Sequence, residues 1–234
     1  MKSVNILYGP PGCGKTTVAE LLPPSVTYLS VGRLARKEFD EITPLGTIMR
    51  QYIDNVEEYP EEVIQELVES PIISANNDIL IDGFPKYERE VNVLTKIMTT
   101  NALRAGVVFN IELSLAESWR RIKDRKVCIK CDYQSTKKDK NCPNCYEKMV
   151  KRDDDSYEKF EVRFGDYEKN NLLVKSLLKK IGFEIVRLAQ NTPTEYRDII
   201  ASTLNHNARV AQKRERLISL QEVDSSNLSL GSIE

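Results

Sequence analysis

The chain has 234 residues, with 34 Lys and Arg against 35 Asp and Glu, a formal charge of -1. That balance argues against a generic binder of nucleic acid or of an anionic membrane surface, which needs a cationic excess. At 41% apolar and 29% charged residues the composition fits a folded domain rather than a disordered chain.

No run approaches the ~18 apolar residues of a spanning helix. Residues 1–20 contain neither a long apolar core nor a small-residue cleavage site, so the expectation is an intracellular, cytoplasmic protein.

In chain order, β-rich apolar runs alternate with helical patterns. The strands are expected at Val4–Tyr8, Val26–Ser30, Asp78–Asp82, Gly106–Ile111 and Phe183–Leu188. The helices are expected at Gly14–Leu21, Leu34–Asp40, Leu45–Asn55, Glu61–Glu69, Glu88–Asn101, Ser114–Arg125 and Ser156–Lys180. This alternation predicts an α/β fold, a parallel sheet with helices on both faces. Ligands of such sheets sit at the carboxyl ends of the strands.

The first strand runs into Gly9-Pro10-Pro11-Gly12-Cys13-Gly14-Lys15-Thr16, followed by Thr17. This is the full G-x-x-x-x-G-K-[ST] pattern between a strand and a helix, the mark of a P-loop NTPase fold. Glycines let successive backbone N–H groups turn around an anion, and the helix N-terminus adds positive potential. Lys15 can bridge the β- and γ-phosphates, and the Thr16 hydroxyl can ligate Mg2+. Cys13 contributes a backbone amide here rather than a catalytic thiol.

Asp82 ends an apolar strand facing this cradle, where a carboxylate can hold water ligands of Mg2+. Gly83 and Pro85 set a sharp turn. Arg36 lies one helical turn past Gly32 and can reach back to a phosphate with its planar fork.

The segments Thr27-Tyr28-Leu29-Ser30-Val31-Gly32-Arg33-Leu34-Ala35-Arg36 and Ile79-Leu80-Ile81-Asp82-Gly83-Phe84-Pro85-Lys86 resemble motifs of the adenylate kinases and wider nucleoside monophosphate kinase family. The resemblance covers about residues 3–200 and implies a five-stranded parallel sheet and a cis bond before Pro85. It also implies monophosphate binding by Ser30, Val31, Gly32, Arg36, Gly83, Lys86, Glu90, Arg152 and Arg163. Three positions depart from the family pattern. Lys86 replaces an arginine and lacks its fork. Arg33 replaces an aspartate. Glu90 replaces the adenine-reading glutamine and offers acceptors only.

The stretch Lys126–Asp155 is too polar to build an apolar core and needs a staple. It contains Cys128-x-x-Cys131 and Cys142-x-x-Cys145. Four thiolates at this spacing close a tetrahedral structural zinc site with no open position for water; four free thiols or an iron site are the other readings. By resemblance this segment is the zinc-bearing lid of certain adenylate kinases, which closes over the donor nucleotide.

Arginines flank the staple: Arg121 and Arg125 at i and i+4 before it, Arg152 and Arg163 after it. By resemblance Arg121 packs on the donor adenine and binds ATP with Arg125. Arg125, Arg152 and Arg163 reach phosphates, with Tyr167 further along, and Asp154 and Asp155 form the lid's acidic pair. Lys15, Arg125, Arg152, Arg163 and Asp82 are the expected catalytic set. Transfer between phosphates needs positioning and positive charge rather than a general base, because the acceptor is already an oxyanion.

The expected activity is phosphoryl transfer from ATP to a nucleoside monophosphate, AMP first, with Mg2+. The alternatives are a GMP, CMP or UMP kinase, and a zinc module that binds nucleic acid or protein. The expected partners are the two nucleotides, with no nucleic acid and no membrane, acting on a monomer. Residues 1–205 should form the kinase domain, with a monophosphate insert over 31–71 and the lid over 126–155. Residues 206–234 should be a C-terminal helix, around Ala208–Leu220, and a disordered tail.

Overall fold

A computed structural model describes residues 2–19, 21–22, 24–54, 58–131, 133–135, 140–152, 155–189 and 194–207. The expected helix over Ala208–Leu220, the tail and Asp154 lie outside these residues. The main sheet contains β1 (Ser3–Tyr8), β2 (Thr27–Ser30), β3 (Ile79–Asp82), β4 (Arg104–Glu112) and β8 (Glu184–Ala189). All neighbours pair in parallel, in the order β2-β3-β1-β4-β8.

Alternation along these strands separates two cores. On one face Val4, Ile6, Ile79, Ile81 and Val108 pack under α4 (Glu61–Ser74), α5 (Glu88–Thr100) and α7 (Tyr157–Lys180). The same core takes in α2 (Val31–Asp40) and α3 (Pro44–Asp54). On the other face Leu7, Leu80, Val107, Phe109 and Ile111 pack under α1 (Lys15–Ala19) and α8 (194–207), the latter through Tyr196, Ile200 and Leu204. With both faces covered, the central strands read as continuous apolar runs. Among the described residues no helix is long and apolar enough to cross a membrane.

Two asparagines of the sheet, Asn5 and Asn110, are buried, each 1% exposed. Asn5 lies at a register shift between β1 and β4. Its Oδ1 accepts the Val107 N–H at 2.9 Å and its Nδ2 donates to the Ile79 carbonyl at 3.1 Å. A side chain at Gly106 would come within 2.2 Å of Asn5 Oδ1. The strand irregularity is therefore bridged on both sides, as a buried polar group requires.

Several elements differ from expectation: α2 starts at Val31 rather than Leu34, α1 runs Lys15–Ala19 rather than Gly14–Leu21, β4 is longer at both ends, and three further differences have a visible cause. The fourth helix continues to Ser74 through Pro71, five residues past Glu69. Burial of Ile72 and capping of its last carbonyls by Lys2 outweigh the lost proline N–H. The sixth, α6 (Leu115–Ile122), stops before Arg125, because the chain turns at Lys123 to enter β5 (Lys126–Cys128). Arg125 is thus in the connection, not on a helix face with Arg121. Finally, the cysteine segment contains a small antiparallel sheet, with β5 between β6 (Gln134–Ser135) and β7 (Met149–Lys151). Its polar composition concealed this sheet, which depends on the cysteine cluster for its interior.

Candidate active site

The glycine-rich loop leaves β1 and enters α1 at Lys15. Gly12 has φ +79°, and a Cβ there would lie 2.7 Å from the Ser118 carbonyl of α6, so only glycine fits. The loop is packed from behind by Cys13, which is 1% exposed and whose thiol burial pushes up. It therefore stays protonated, a packing group rather than a nucleophile. Lys15 Nζ folds into the loop, donating to the carbonyls of Gly9 at 2.8 Å and Pro10 at 3.0 Å.

Asp82, 6% exposed, ends β3 opposite Ser30 of β2. Its Oδ2 accepts from the Tyr28 hydroxyl at 2.7 Å. Its Oδ1 is buried and has no hydrogen-bond partner among the described residues. A buried carboxylate oxygen of this kind suits a metal ion or its water shell, and the Thr16 hydroxyl lies in the same cleft. Burial, then the Asp82 charge, drives the Tyr28 phenol far above its ordinary value, opposed by the hydroxyls of Ser30 and Thr16.

A cleft of about 950 Å3 joins the two sides. From the glycine-rich loop, α1 and α6 the residues Gly9, Pro11, Gly12, Gly14, Lys15, Thr16, Thr17 and Arg121 line it. From β2, α2 and the turn after β3 come Ser30, Gly32, Arg36, Gly83 and Lys86, while Arg125, Arg152 and Arg163 enter from the connection before β5, the end of β7 and α7. Arg36 Nη1 lies 3.5 Å from where a Cβ on Gly32 would stand, so the side chain does reach back along α2. The Phe84–Pro85 bond is cis.

Four expected residues do not line the cleft. Pro10 and Cys13 are buried behind the loop, and Val31 packs against the core. The fourth, Glu90, is half-buried, and its Oε2 accepts the Lys86 backbone N–H at 2.5 Å. Burial raises the Glu90 carboxyl, opposed by the Lys86 ammonium and amide. Its carboxylate therefore closes the turn ahead of α5.

Sequence reasoning passed over Glu117, and it named Asp155 and Arg33 without their place in the site. Glu117 accepts from Arg121 Nε at 2.8 Å and from two nitrogens of Arg120. These bonds hold its carboxyl at about 2. Spacing of three and four residues on one helix was the available signal. Asp155 is fully buried and accepts from Arg125 at 2.7 and 2.8 Å and from Arg163 at 3.3 Å. Arg33 also lines the cleft.

Lys15, Arg33, Arg36, Lys86, Arg121, Arg125, Arg152 and Arg163 face Asp82, Glu117 and Asp166 there, eight cations against three carboxylates. In a chain of net charge -1 this concentrates positive potential where polyanions would sit. The one histidine, His206, is exposed on α8 and does not line the cleft.

In the lid the Sγ atoms of Cys128, Cys131, Cys142 and Cys145 all lie within 4.8 Å of one another. Cys128–Cys145 is 3.4 Å and Cys131–Cys142 is 3.6 Å. Tetrahedral Zn–S bonds of about 2.3 Å put sulfurs roughly 3.8 Å apart, so the cluster fits zinc. The Lys130 and Asn144 amides each donate to a cysteine sulfur at 3.4 Å, which favours thiolates.

A parallel sheet with a phosphate loop after its first strand and cations converging from three sides defines a phosphotransferase that brings two nucleotides together. The sequence matches the adenylate kinase family over residues 7–182, and the chain belongs to that family. It is 33% identical over 173 residues to an adenylate kinase of Pyrococcus furiosus, covering 70% of this chain and 79% of that one. To an adenylate kinase of Carboxydothermus hydrogenoformans it is 30% identical over 187 residues, covering 76% and 87%. A Chlamydia caviae adenylate kinase is 28% identical over 205 residues, covering 85% and 96%.

Proposed function

We propose that the protein transfers the terminal phosphoryl group of ATP to AMP, giving two ADP. The observation that carries this reading is the single cleft in which the phosphate loop and the Arg36 and Lys86 side meet under the lid arginines. Kinship with adenylate kinases favours AMP over GMP, CMP or UMP, and favours an enzyme over a nucleic-acid-binding zinc module.

On this reading the loop from Gly9 to Thr17 wraps the donor phosphates, and Lys15 exchanges its loop carbonyls for a phosphate oxygen. Arg121, held by Glu117, lies over the loop with Nη1 3.5 Å from the Cys13 carbonyl and packs on the donor base. Ser30, Gly32, Arg36, Gly83 and Lys86 take the acceptor phosphate. Arg125, Arg152 and Arg163 place positive charge on the oxygens that gain charge at the transition state. Asp82 and Thr16 would hold Mg2+, which supplies charge neutralisation on the transferred phosphates. The four cysteines would hold structural zinc, which ties the lid strands together. Closing a cationic lid excludes water and so protects ATP from hydrolysis.

The reading assigns the kinase domain to residues 1–205, with the monophosphate insert over 31–71 and the lid over 126–155. It takes the active form as a cytoplasmic monomer, since four thiolates at a metal site suit a reducing compartment. The test is a coupled assay with ATP, Mg2+ and a panel of monophosphates, with product identification. AMP should be the preferred acceptor, and Lys15→Ala should abolish turnover without lowering the melting temperature. Undiminished turnover in Lys15→Ala would remove the phosphate loop from the mechanism.

A further inference from the structure

We propose that Tyr28 is a positioning residue for Asp82, fixing which carboxylate oxygen faces the metal-nucleotide side of the cleft. This rests on the kinase reading above and assigns a role to a residue outside the glycine-rich and Asp-Gly-Phe-Pro motifs.

The geometry begins in the sheet. Strands β2 and β3 are parallel neighbours, with Tyr28 opposite Leu80 and Ser30 opposite Asp82. Tyr28, Ser30 and Asp82 therefore share the face towards α1. The long phenol reaches forward two residues and donates to Asp82 Oδ2 at 2.7 Å. The hydroxyls of Ser30 and Thr16 act on the same phenol, each lowering its pKa against the rise that burial and Asp82 impose.

The terminal torsion of an aspartate is broad and nearly two-fold, so an isolated carboxylate presents either oxygen. A donor on Oδ2 breaks that equivalence. The remaining oxygen, Oδ1, is buried and has no protein partner among the described residues. Any donor or cation that satisfies it must enter from the cleft. Tyr28 thus converts a soft torsion into one orientation before metal and nucleotide arrive, which removes a reorganisation step at binding.

Tyr28→Phe keeps the ring and removes the hydroxyl. The test uses Mn2+ as a paramagnetic stand-in for Mg2+, with a non-hydrolysable ATP analogue on the intact chain. Free Mn2+ is measured by electron paramagnetic resonance, and nucleotide affinity is measured calorimetrically in chelator. In Tyr28→Phe, retention of Mn2+ by the protein-nucleotide complex should weaken about tenfold, the scale of one hydrogen bond to a charged group. Metal-free nucleotide affinity should not change. In an Asp82→Asn background the same substitution should add almost nothing, because Tyr28 acts through Asp82.

Wild-type Mn2+ retention in Tyr28→Phe overturns the inference, as does equal weakening with and without metal. If wild-type protein binds the analogue and turns over ATP with AMP, such a result sinks Tyr28 alone. Wild-type protein that neither binds the analogue nor turns over overturns the kinase reading and this inference together.

Discussion

The guanidinium of Arg125 meets the carboxylate of Asp155 through two bonds, Nη2–Oδ1 at 2.7 Å and Nε–Oδ2 at 2.8 Å, where the lid joins the core. Asp155 is fully buried and Arg125 partly buried, at 16% side-chain exposure. Arg163 on α7 donates to the same Oδ1. One carboxylate therefore orients two of the cleft's cations, and it spans the connection before β5 and the start of α7.

Removing that carboxylate takes away the buried charge that Arg125 and Arg163 share. Asp155→Ala should destabilise the fold by about 3 kcal/mol, the low end for a broken buried pair because Arg163 is a third exposed. In a domain of this size that lowers the melting temperature by roughly 6–12 °C. Thermal unfolding checks it, and a shift under about 2 °C would show that the pair contributes only as an exposed one would. Turnover should fall as well, since Arg125 and Arg163 lose the group that aims them.

The cysteine cluster makes a separate prediction. The hydrophobic group around Cys128, Cys142 and Met149 is small, so on the zinc reading the lid sheet would depend on the metal rather than on buried area. Purified protein should contain about one zinc per chain. A chelator strong enough to remove it, or Cys142→Ser, should lower the melting temperature while the Mg2+ requirement of turnover persists. Protein that carries no metal as purified, and shows four thiols reacting with a disulfide reagent, would rule out the staple.

These two sites differ in how legible they were. The phosphate loop, the aspartate at the end of β3 and the two Cys-x-x-Cys knuckles are contiguous motifs whose chemistry is written in local spacing. The five strands were also readable, because strands buried on both faces give unbroken apolar runs. Tyr28 and Asp82 are 54 positions apart, and only the order β2-β3 brings them together. Asp155 was legible only as one of the lid's acidic pair, not as a buried partner of two arginines, because those partners lie 30 residues before and 8 after it and burial is not visible in a run of aspartates. The fourth helix was cut short at Glu69 because Pro71 is a local signal, whereas the packing of Ile72 that overrides it is not.

Glu90 gives a prediction in pH. Burial holds its carboxyl above the ordinary value of 4.5, and the Lys86 ammonium and amide only partly offset that. The groups facing it are Lys86 and Arg89, with the phenols of Tyr8 and Tyr87 nearby. A raised carboxyl means that the folded state binds the proton more tightly than the unfolded chain. Ionised Glu90 thus weighs against folding above its folded value, and the penalty disappears as pH falls below the unfolded value. Glu90→Gln keeps a carbonyl acceptor for the Lys86 N–H and removes the charge. The variant should melt higher than wild type near pH 7, with the difference closing by about pH 4. Melting curves across that range test it, and a pH-independent difference would mean that the charge is not the cause.

Lys2 tests the far end of the fold. Its ammonium donates to the carbonyls of Ile73 and Ala75, both at 2.6 Å, at the point where α4 ends. Those carbonyls carry the negative end of the helix, and the cation also tethers α4 to the start of β1. Lys2→Met preserves the aliphatic stem and removes the donors. The loss should be about 1–2 kcal/mol, seen as a lower urea midpoint with an unchanged slope. Turnover at low temperature should stay at the wild-type level, because the cleft lies at the carboxyl ends of the strands and Lys2 precedes the amino end of β1. An unchanged midpoint would show that water satisfies those carbonyls as well as the lysine does, and that α4 is held past Pro71 by the burial of Ile72 alone.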